Sequence, residues 1–509
     1  MSVENNRILN NTVYLYIRQI VVLVISLYTS RIVLDALGVT DFGLYNVVGG
    51  VIVLFSFVTN ALSNSTGRFF SYAIGKGDEN EINLTFGTFR SLYYILAIII
   101  LILGETVGLW FVFNYLSIPE ERFTAALWVY HFSVLTTIMN VIYLPYQSLI
   151  ISNEKMSVFA YVSILEASCK LGIVYLLYIS PADRLIVYAI LIFLLQFIIR
   201  CVYTVYCKRK IPTSKAPVTL KKELVPEVLK YSGWVLFGSS AYMTYTQGLN
   251  IFLNIFFGPV VNAARGIAVQ VQTGCQNFIV GFQSAIYPQI VKSYAKQDLT
   301  RMRALLYTAC KGSYFLFLVL VLPLLLKTEF ILEVWLKEVP DYAVPFTQLI
   351  LIFSMLRAIT NTLNHAVQAT GKIRLYQLAD GLMGLLILPI AYAVVKVFQT
   401  DPVSVFWVLV VMEAITVIIR ILVGVPRFGK IWEYFRKVLF PVIYVTAFSI
   451  VTPIYVASTT SETFIGFFFV CLIDIFWTLP VVFFWGLNKK ERSLIIDRIP
   501  FINKHKKME

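Results

Sequence analysis

The stretch 264-ARGIAVQVQTGCQNFIVGFQSAIYP-288 sets one arginine and four glutamines inside an otherwise apolar run. Arg265, Gln272, Gln276 and Gln283 are spaced 7, 4 and 7 residues apart. At about 100° per residue those spacings put all four on one line, so the run reads as a single long helix with a polar stripe. The segments on either side are equally apolar, and the pattern continues along the whole chain. The 509 residues are 58% hydrophobic and 14% charged, with a mean hydropathy of +0.77. A soluble fold of this size could not hide so much apolar surface. A membrane span needs about 20 mostly apolar residues, and fourteen such runs can be marked, which predicts an all-α polytopic membrane protein. Outer-membrane barrel strands are short and alternate in polarity, so a barrel is excluded.

The beginning, MSVENNRILNNTV, lacks a basic segment followed by a short apolar core and a small-residue cleavage site, and is expected to feed directly into the first span. Six cysteines (169, 201, 207, 275, 310 and 471) lie in or beside spans without a C-x-x-C pair, and read as small apolar packers. Three histidines, His131, His365 and His505, give no zinc or haem spacing, and no metal site is expected. The net charge of +14 is not spread like a nucleic-acid surface. Most lysines and arginines lie at the N-terminus and after the even-numbered spans, above all in 207–230, 291–303 and 488–509. By the positive-inside rule both termini are expected in the cytoplasm, with anionic membrane lipids, and no nucleic acid, as partners of the basic loops.

The chain also echoes itself. SYAIGKGDENEI (71–82) returns as SYAKQDLTRM (293–302), LWFVFNYLSIPEE (109–121) as VWLKEVPDYA (334–343), and ISNEKMSVFAY (151–161) as ATGKIRLYQ (369–377). The three pairs keep their order and are displaced by roughly 220 residues. The organisation expected is an N-lobe of spans 1–6 (1–207), a basic cytoplasmic loop (208–230), a C-lobe of spans 7–12 (231–424), a hairpin of spans 13 and 14 (425–487) and a basic cytoplasmic tail (488–509). Because six is even, the two copies run in the same sense across the membrane, the parallel-repeat plan of some transporters.

Polar groups in hydrocarbon are costly unless paired or wetted. Beside the line in span 8, span 7 aligns Ser240, Gln247 and Asn254 with Asn250 close by, and span 2 aligns Asn46, Asn60 and Asn64. Two readings stand: hydrogen bonds that hold helices together, or the wall of a hydrated cavity, which long single-faced lines suit better. Residues 231–290 contain no Asp or Glu, and Arg265 is their one charge. Arg31 with Asp35, and Lys170 with Glu166, can pair along one helix. Arg200, Arg420 and Lys311 are near enough to span ends to reach the interface. Arg18, Arg265 and Arg357 have no acid at i±3 or i±4, so each is either paired across helices, with Asp380, Glu413 or Asp474 as partners, or free for an anionic substrate. A guanidinium fork suits phosphate, and the neighbouring amides suit sugar hydroxyls.

The runs LYTSRIVLDALGVTDFGLYNVVGGVIVLFS (27–56), PYQSLIISNEK (145–155), FGPVVNAARGIAVQVQ (257–272) and VWLKEVPDYA (334–343) resemble polysaccharide-exporting members of the multidrug/oligosaccharidyl-lipid/polysaccharide (MOP) superfamily, above all Wzx-type repeat-unit flippases of the polysaccharide transporter family. The resemblance implies a MATE-like fold of two six-helix lobes plus a C-terminal hairpin. It implies translocation of an undecaprenyl-diphosphate-linked oligosaccharide across the bacterial inner membrane, as in O-antigen, capsule and lipopolysaccharide biosynthesis, by alternating access. It further implies coupling to a proton or sodium gradient with no bound cofactor, and other polysaccharide-assembly proteins as partners. The diphosphate would be held by Arg18, Arg265 and Arg357, and the glycan would meet Gln247, Asn250, Asn254, Gln272, Gln276, Gln283, Asn60 and Asn64. Rival readings are a cation-coupled multidrug exporter, for which acid-free spans 7 and 8 are unsuited, a lipid II flippase, and a membrane glycosyltransferase or polymerase, for which no extramembrane domain is present. No nucleotide-binding motif occurs, so a transporter and not an enzyme is expected.

Overall fold

A computed structural model describes residues 3–53, 56–115, 118–336 and 339–496. The helices are α1 (Val3–Val53), α2 (Ser56–Lys76), α3 (Glu79–Leu103), α4 (Leu109–Tyr115), α5 (Phe123–Ser152), α6 (Met156–Ile179), α7 (Arg184–Lys210), α8 (Leu224–Phe257) and α9 (Pro259–Ala295). They continue with α10 (Leu299–Leu326), α11 (Thr328–Trp335), α12 (Ala343–Ala369), α13 (Arg374–Phe398), α14 (Val403–Gly424), α15 (Ile431–Tyr434), α16 (Phe440–Thr459), α17 (Phe464–Val481) and α18 (Lys489–Ile496). No strand occurs among the described residues.

Local sequence sets the breaks. Gly38, at φ 79°, interrupts α1 where the first two expected spans meet, a conformation open to glycine but strained for other residues. Gly258, at φ 85°, ends α8, and Pro259 opens α9 at a position that needs no amide hydrogen. Asp78 and Asp183 cap α3 and α7 by accepting from backbone N–H groups of the first turn.

Ten described segments are long and apolar enough to cross a membrane, from Glu79–Asn114 to Phe464–Gly486. They coincide with expected spans 3–6 and 9–14. A shorter apolar stretch, Asn11–Ser26, lies within α1.

The chain forms two compact units, Arg7–Leu236 and Phe237–Glu509 with Met1–Asn6. In the first, α5 is the central helix and packs against α2, α3 and α7. In the second, α12 is central and packs against α9, α10 and α14. Counted from the start of each half these are the same helices: the fourth against the second, third and sixth. The core of the second unit runs from Leu249, Leu253 and Ala264 through Phe346 and Phe353 to Phe406 and Leu409. The α16–α17 hairpin packs on α10 over Phe315, Leu318, Val442 and Val445.

The long basic loop is not a loose divider. Arg90 Nη1 donates to the Ala216 carbonyl at 2.9 Å, Ser91 Oγ to the Thr219 carbonyl at 2.9 Å, and the Lys221 amide to Thr88 Oγ1 at 3.0 Å. Gly87 makes this possible, since a Cβ there would stand 2.6 Å from the Pro217 oxygen. The loop is therefore sewn onto α3, and the division between the units falls further on, inside α8.

Candidate functional site

Arg265 is seven residues into α9 and only 7% exposed. Its Nη2 donates to the Thr246 carbonyl at 2.8 Å, and its Nη1 to Asn250 Oδ1. Asn250 Nδ2 in turn donates to Gln247 Oε1 at 3.0 Å. Among the described residues, no ion pair joins Arg265 to a carboxylate. Neutral oxygens of α8 thus orient the guanidinium without cancelling its charge.

Arg357, on α12, reaches the same face of α8 one turn away. Its Nη1 stands 3.3 Å from the Tyr245 hydroxyl, and its guanidinium carbon lies 5.0 Å from the centre of the Tyr242 ring. It borders a small cavity of ≈ 20 Å³, room for about one water molecule, lined also by Tyr242, Tyr245, Asp380, Glu413 and Arg420. Within that wall Arg420 takes both acids: Nη2 to Asp380 Oδ1 at 2.6 Å and Nη1 to Glu413 Oε1 at 2.5 Å, with Nη1 also 3.2 Å from Thr360 Oγ1. Two arginines and two carboxylates make the cavity wall formally neutral, which leaves Arg265 as the unbalanced cation of this region.

The outcome differs from the sequence expectation in three respects. Arg420 does not reach the interface but is buried between Asp380 and Glu413. Lys311 is likewise buried, held by Glu491 Oε2 at 2.7 Å and the Gly486 carbonyl at 3.2 Å. Asp474, the third candidate counter-charge, accepts from Thr478 on its own helix and, among the described residues, pairs with no arginine. The Glu413–Arg420 spacing of seven, two helical turns on one face, was the available signal for the first of these. Nothing in the spacing marked Tyr242 or Tyr245.

The amide line on α9 makes hydrogen bonds across helices. Gln272 Nε2 and Gln276 Nε2 lie 2.7 and 3.4 Å from Ser354 Oγ on α12, and Gln283 Nε2 lies 3.2 Å from Ser313 Oγ on α10. Gln247 and Asn64 are exposed. The side chains of Asn60, Asn254 and Asn46 lie outside what the structure describes.

The first unit holds a related cluster. Arg200 Nη2 donates to Asn140 Oδ1 and Gln196 Oε1, both at 2.7 Å, and Gln196 Nε2 donates to Glu166 at 2.8 Å. Lys170 Nζ stands 2.9 Å from Glu166, the pair along one helix expected from the sequence. Arg200 with Asn140 repeats Arg420 with Thr360 at a displacement of 220 residues for both members. The difference lies in the counter-charges: Arg420 has two carboxylates in contact, whereas Arg200 contacts amide oxygens. Arg18 lies over the Phe159 ring at 4.7 Å, and its buried Nε has no hydrogen-bond partner. Among the described residues no group of three or more metal-ligating side chains occurs.

No family model matches this sequence, and no curated protein does. Solved structures do match. A multidrug resistance MATE family transporter of the MOP superfamily in an outward-facing conformation superposes with a TM-score of 0.73 at 14% identity, over 85% of this chain and 96% of that one. A MOP superfamily transporter from Pyrococcus furiosus, described as having a binding pocket of reversed polarity, gives 0.69 at 13% identity over 85% and 99%. MATE in its straight conformation gives 0.70 at 14% identity over 84% and 97%. The chain thus has the MATE-like fold of these MOP superfamily transporters.

Proposed function

We propose that this protein is a transporter that moves an anionic, glycan-bearing lipid, a polyprenyl-diphosphate-linked oligosaccharide, across the bacterial inner membrane by alternating access. The observation that carries this reading is Arg265. A buried guanidinium, positioned by neutral oxygens in a 60-residue stretch without acids, is a cation arranged to meet a ligand's negative charge. Arg18, whose Nε is unpartnered, and Arg357, whose guanidinium rests on a tyrosine hydroxyl and ring, would share the diphosphate. Gln247 and Asn64, both exposed, would meet the sugars with the other amides of these helices. The basic ends of the chain would lie on the cytoplasmic side, and coupling to a proton or sodium gradient would reset the cycle.

A MATE-type exporter of cations is the second reading, and the carboxylates Asp380 and Glu413 in the cavity wall favour it. Both are engaged by Arg420, which weighs against their serving a cationic drug. The two readings separate in the native strain, with the gene deleted and then restored as wild type or as the variant. Loss of surface glycan with lipid-linked repeat units accumulating inside, in Arg265→Ala at unchanged membrane level, is the expected result. Normal surface glycan in both the variant and the deletion strain would overturn the flippase reading.

A further inference from the structure

The turn that joins α14 to α16, 427-RFGKIWEYFRK-437, holds four basic residues and one acid. Arg303, in the first turns of α10, faces it. The single acid, Glu433, is shared: Lys437 Nζ stands 2.5 Å from Oε1, while Arg303 Nη1 is 3.9 Å from Oε2, outside hydrogen-bond range. Among the described residues Arg427, Lys430 and Arg436 make no ion pair.

One donor facing the turn, and one at its start, lack an acceptor. The Tyr307 hydroxyl belongs to a side chain only 6% exposed and has no hydrogen-bond partner, and Arg427 Nη1 is buried and also unpartnered. Such groups are rare in folded proteins and point to something that completes them. The hydroxyl aims at the turn. A Cβ on Gly429 would stand 3.2 Å from the Tyr307 oxygen and 3.3 Å from Arg303 Cδ, so the glycine keeps that approach clear. Lys437 Nζ lies 5.8 Å from the centre of the Tyr307 ring.

The depth of the turn narrows the ligand. Trp432, within it, is 66% exposed, and exposed tryptophan at the end of a span marks the layer of lipid head groups. An anion in that layer is a phosphodiester, and clustered basic side chains beside a span bind such head groups.

We propose that the 427–437 turn, with Arg303 and Tyr307 of α10, is a binding site for the phosphodiester of an anionic lipid head group. Arg303 grips its oxygens, the Tyr307 hydroxyl donates to it, and Arg427, Lys430 and Arg436 supply the surrounding positive field. This site is separate from the cavity beside Arg357 and does not depend on the transport reading.

The test is thermal unfolding of the detergent-purified full chain, alone and with added phosphatidylglycerol, phosphatidylcholine or inorganic phosphate. Phosphatidylglycerol is expected to raise the unfolding temperature, and the other two to leave it unchanged. In R303Q/R427Q most of that rise disappears. If the double variant fails to fold, Tyr307→Phe, which removes a hydroxyl with no partner in the protein, is expected to diminish the rise. An undiminished rise in the folded double variant, or in Tyr307→Phe where only that variant can be measured, overturns the site. An equal rise with inorganic phosphate shows a free-anion site and overturns the lipid assignment.

Discussion

Lys311 Nζ lies 2.7 Å from Glu491 Oε2, with both side chains almost wholly buried, and the pair ties α18 to α10. Glu491 also accepts from Thr308 Oγ1 at 2.6 Å and from the Asn488 amide at 2.8 Å. At the other end of α10, Lys327 Nζ reaches Glu462 Oε1 at 2.7 Å and the Thr460 carbonyl at 3.0 Å. The two lysines are 16 residues apart, about 24 Å along a helix. They fasten both ends of the α16–α17 hairpin to one helix. Removing one member of a buried pair strands the other, at a cost of about 3–5 kcal/mol. Glu491→Ala is therefore expected to lower the unfolding temperature sharply, and K311M/E491M to recover much of the loss. Equal losses in the single and double variants would show that packing, not charge, is responsible.

Arg420 and Arg265 should fail in different ways. Arg420→Ala strips Asp380 and Glu413 of their direct ion-pair partner and leaves two acids against the one remaining cation, Arg357, in a buried wall, so the protein is expected to be lost from the membrane fraction. Arg265→Ala leaves only neutral oxygens behind, and normal levels with lost transport are expected. Comparing membrane abundance with surface glycan for the two variants checks both halves of this contrast.

Arg265→Lys should restore little. An ammonium keeps the charge but not the planar fork that bonds Thr246 and Asn250 and that, on the proposed function, would also hold phosphate oxygens. Glycan export is expected to fall by at least ten-fold, and wild-type export in this variant would reduce the residue's role to charge alone.

Gln272→Leu and Gln276→Leu test the other side of the argument. Both amides are spent on Ser354, and a hydrogen bond between helices in a membrane contributes about 0.6 kcal/mol on average. Small losses of stability with export retained are expected, whereas abolished export at normal abundance would assign these amides to the substrate.

Acid sensitivity should be traceable to Asp183, in the loop before α7. Partial burial works to raise its carboxyl pKa, but the hydrogen bond from Arg122 and those from the Leu185 and Ile186 amides outweigh it, and the group titrates below its ordinary value. A depressed folded value contributes stability above the unfolded pKa of about 3.9, and that contribution disappears as pH falls through the folded value. Wild type should therefore lose stability more steeply below about pH 4 than Asp183→Asn, measured by unfolding temperature across an acid series.

Much of the fold was legible because hydrocarbon imposes a one-dimensional rule: each span must be long and apolar, whatever its neighbours. The displacement of about 220 residues was equally visible, and the Asn140–Arg200 and Thr360–Arg420 pairs now extend it into the interior. What the sequence could not give was helix rotation and partner choice. Distance from a span end suggested that Arg420 and Lys311 would reach water. The decisive facts were Asp380 on a neighbouring helix and Glu491 beyond the last span, both remote in the chain. The amides on α9 were seen as a line, but whether such a line faces water or a serine depends on which way the helix turns.

The seam between residues 216–221 and α3 has a practical corollary for anyone handling this protein. A hydropathy plot offers the stretch between the sixth and seventh spans as the obvious place for an epitope tag, a protease site or a fused reporter. Yet the Ala216 and Thr219 carbonyls are held by Arg90 and Ser91, and Pro217 lies against Gly87. An insertion there would pry the strap off its groove, and poor yield of such a fusion would report the wrong choice of site and not an intolerant transporter.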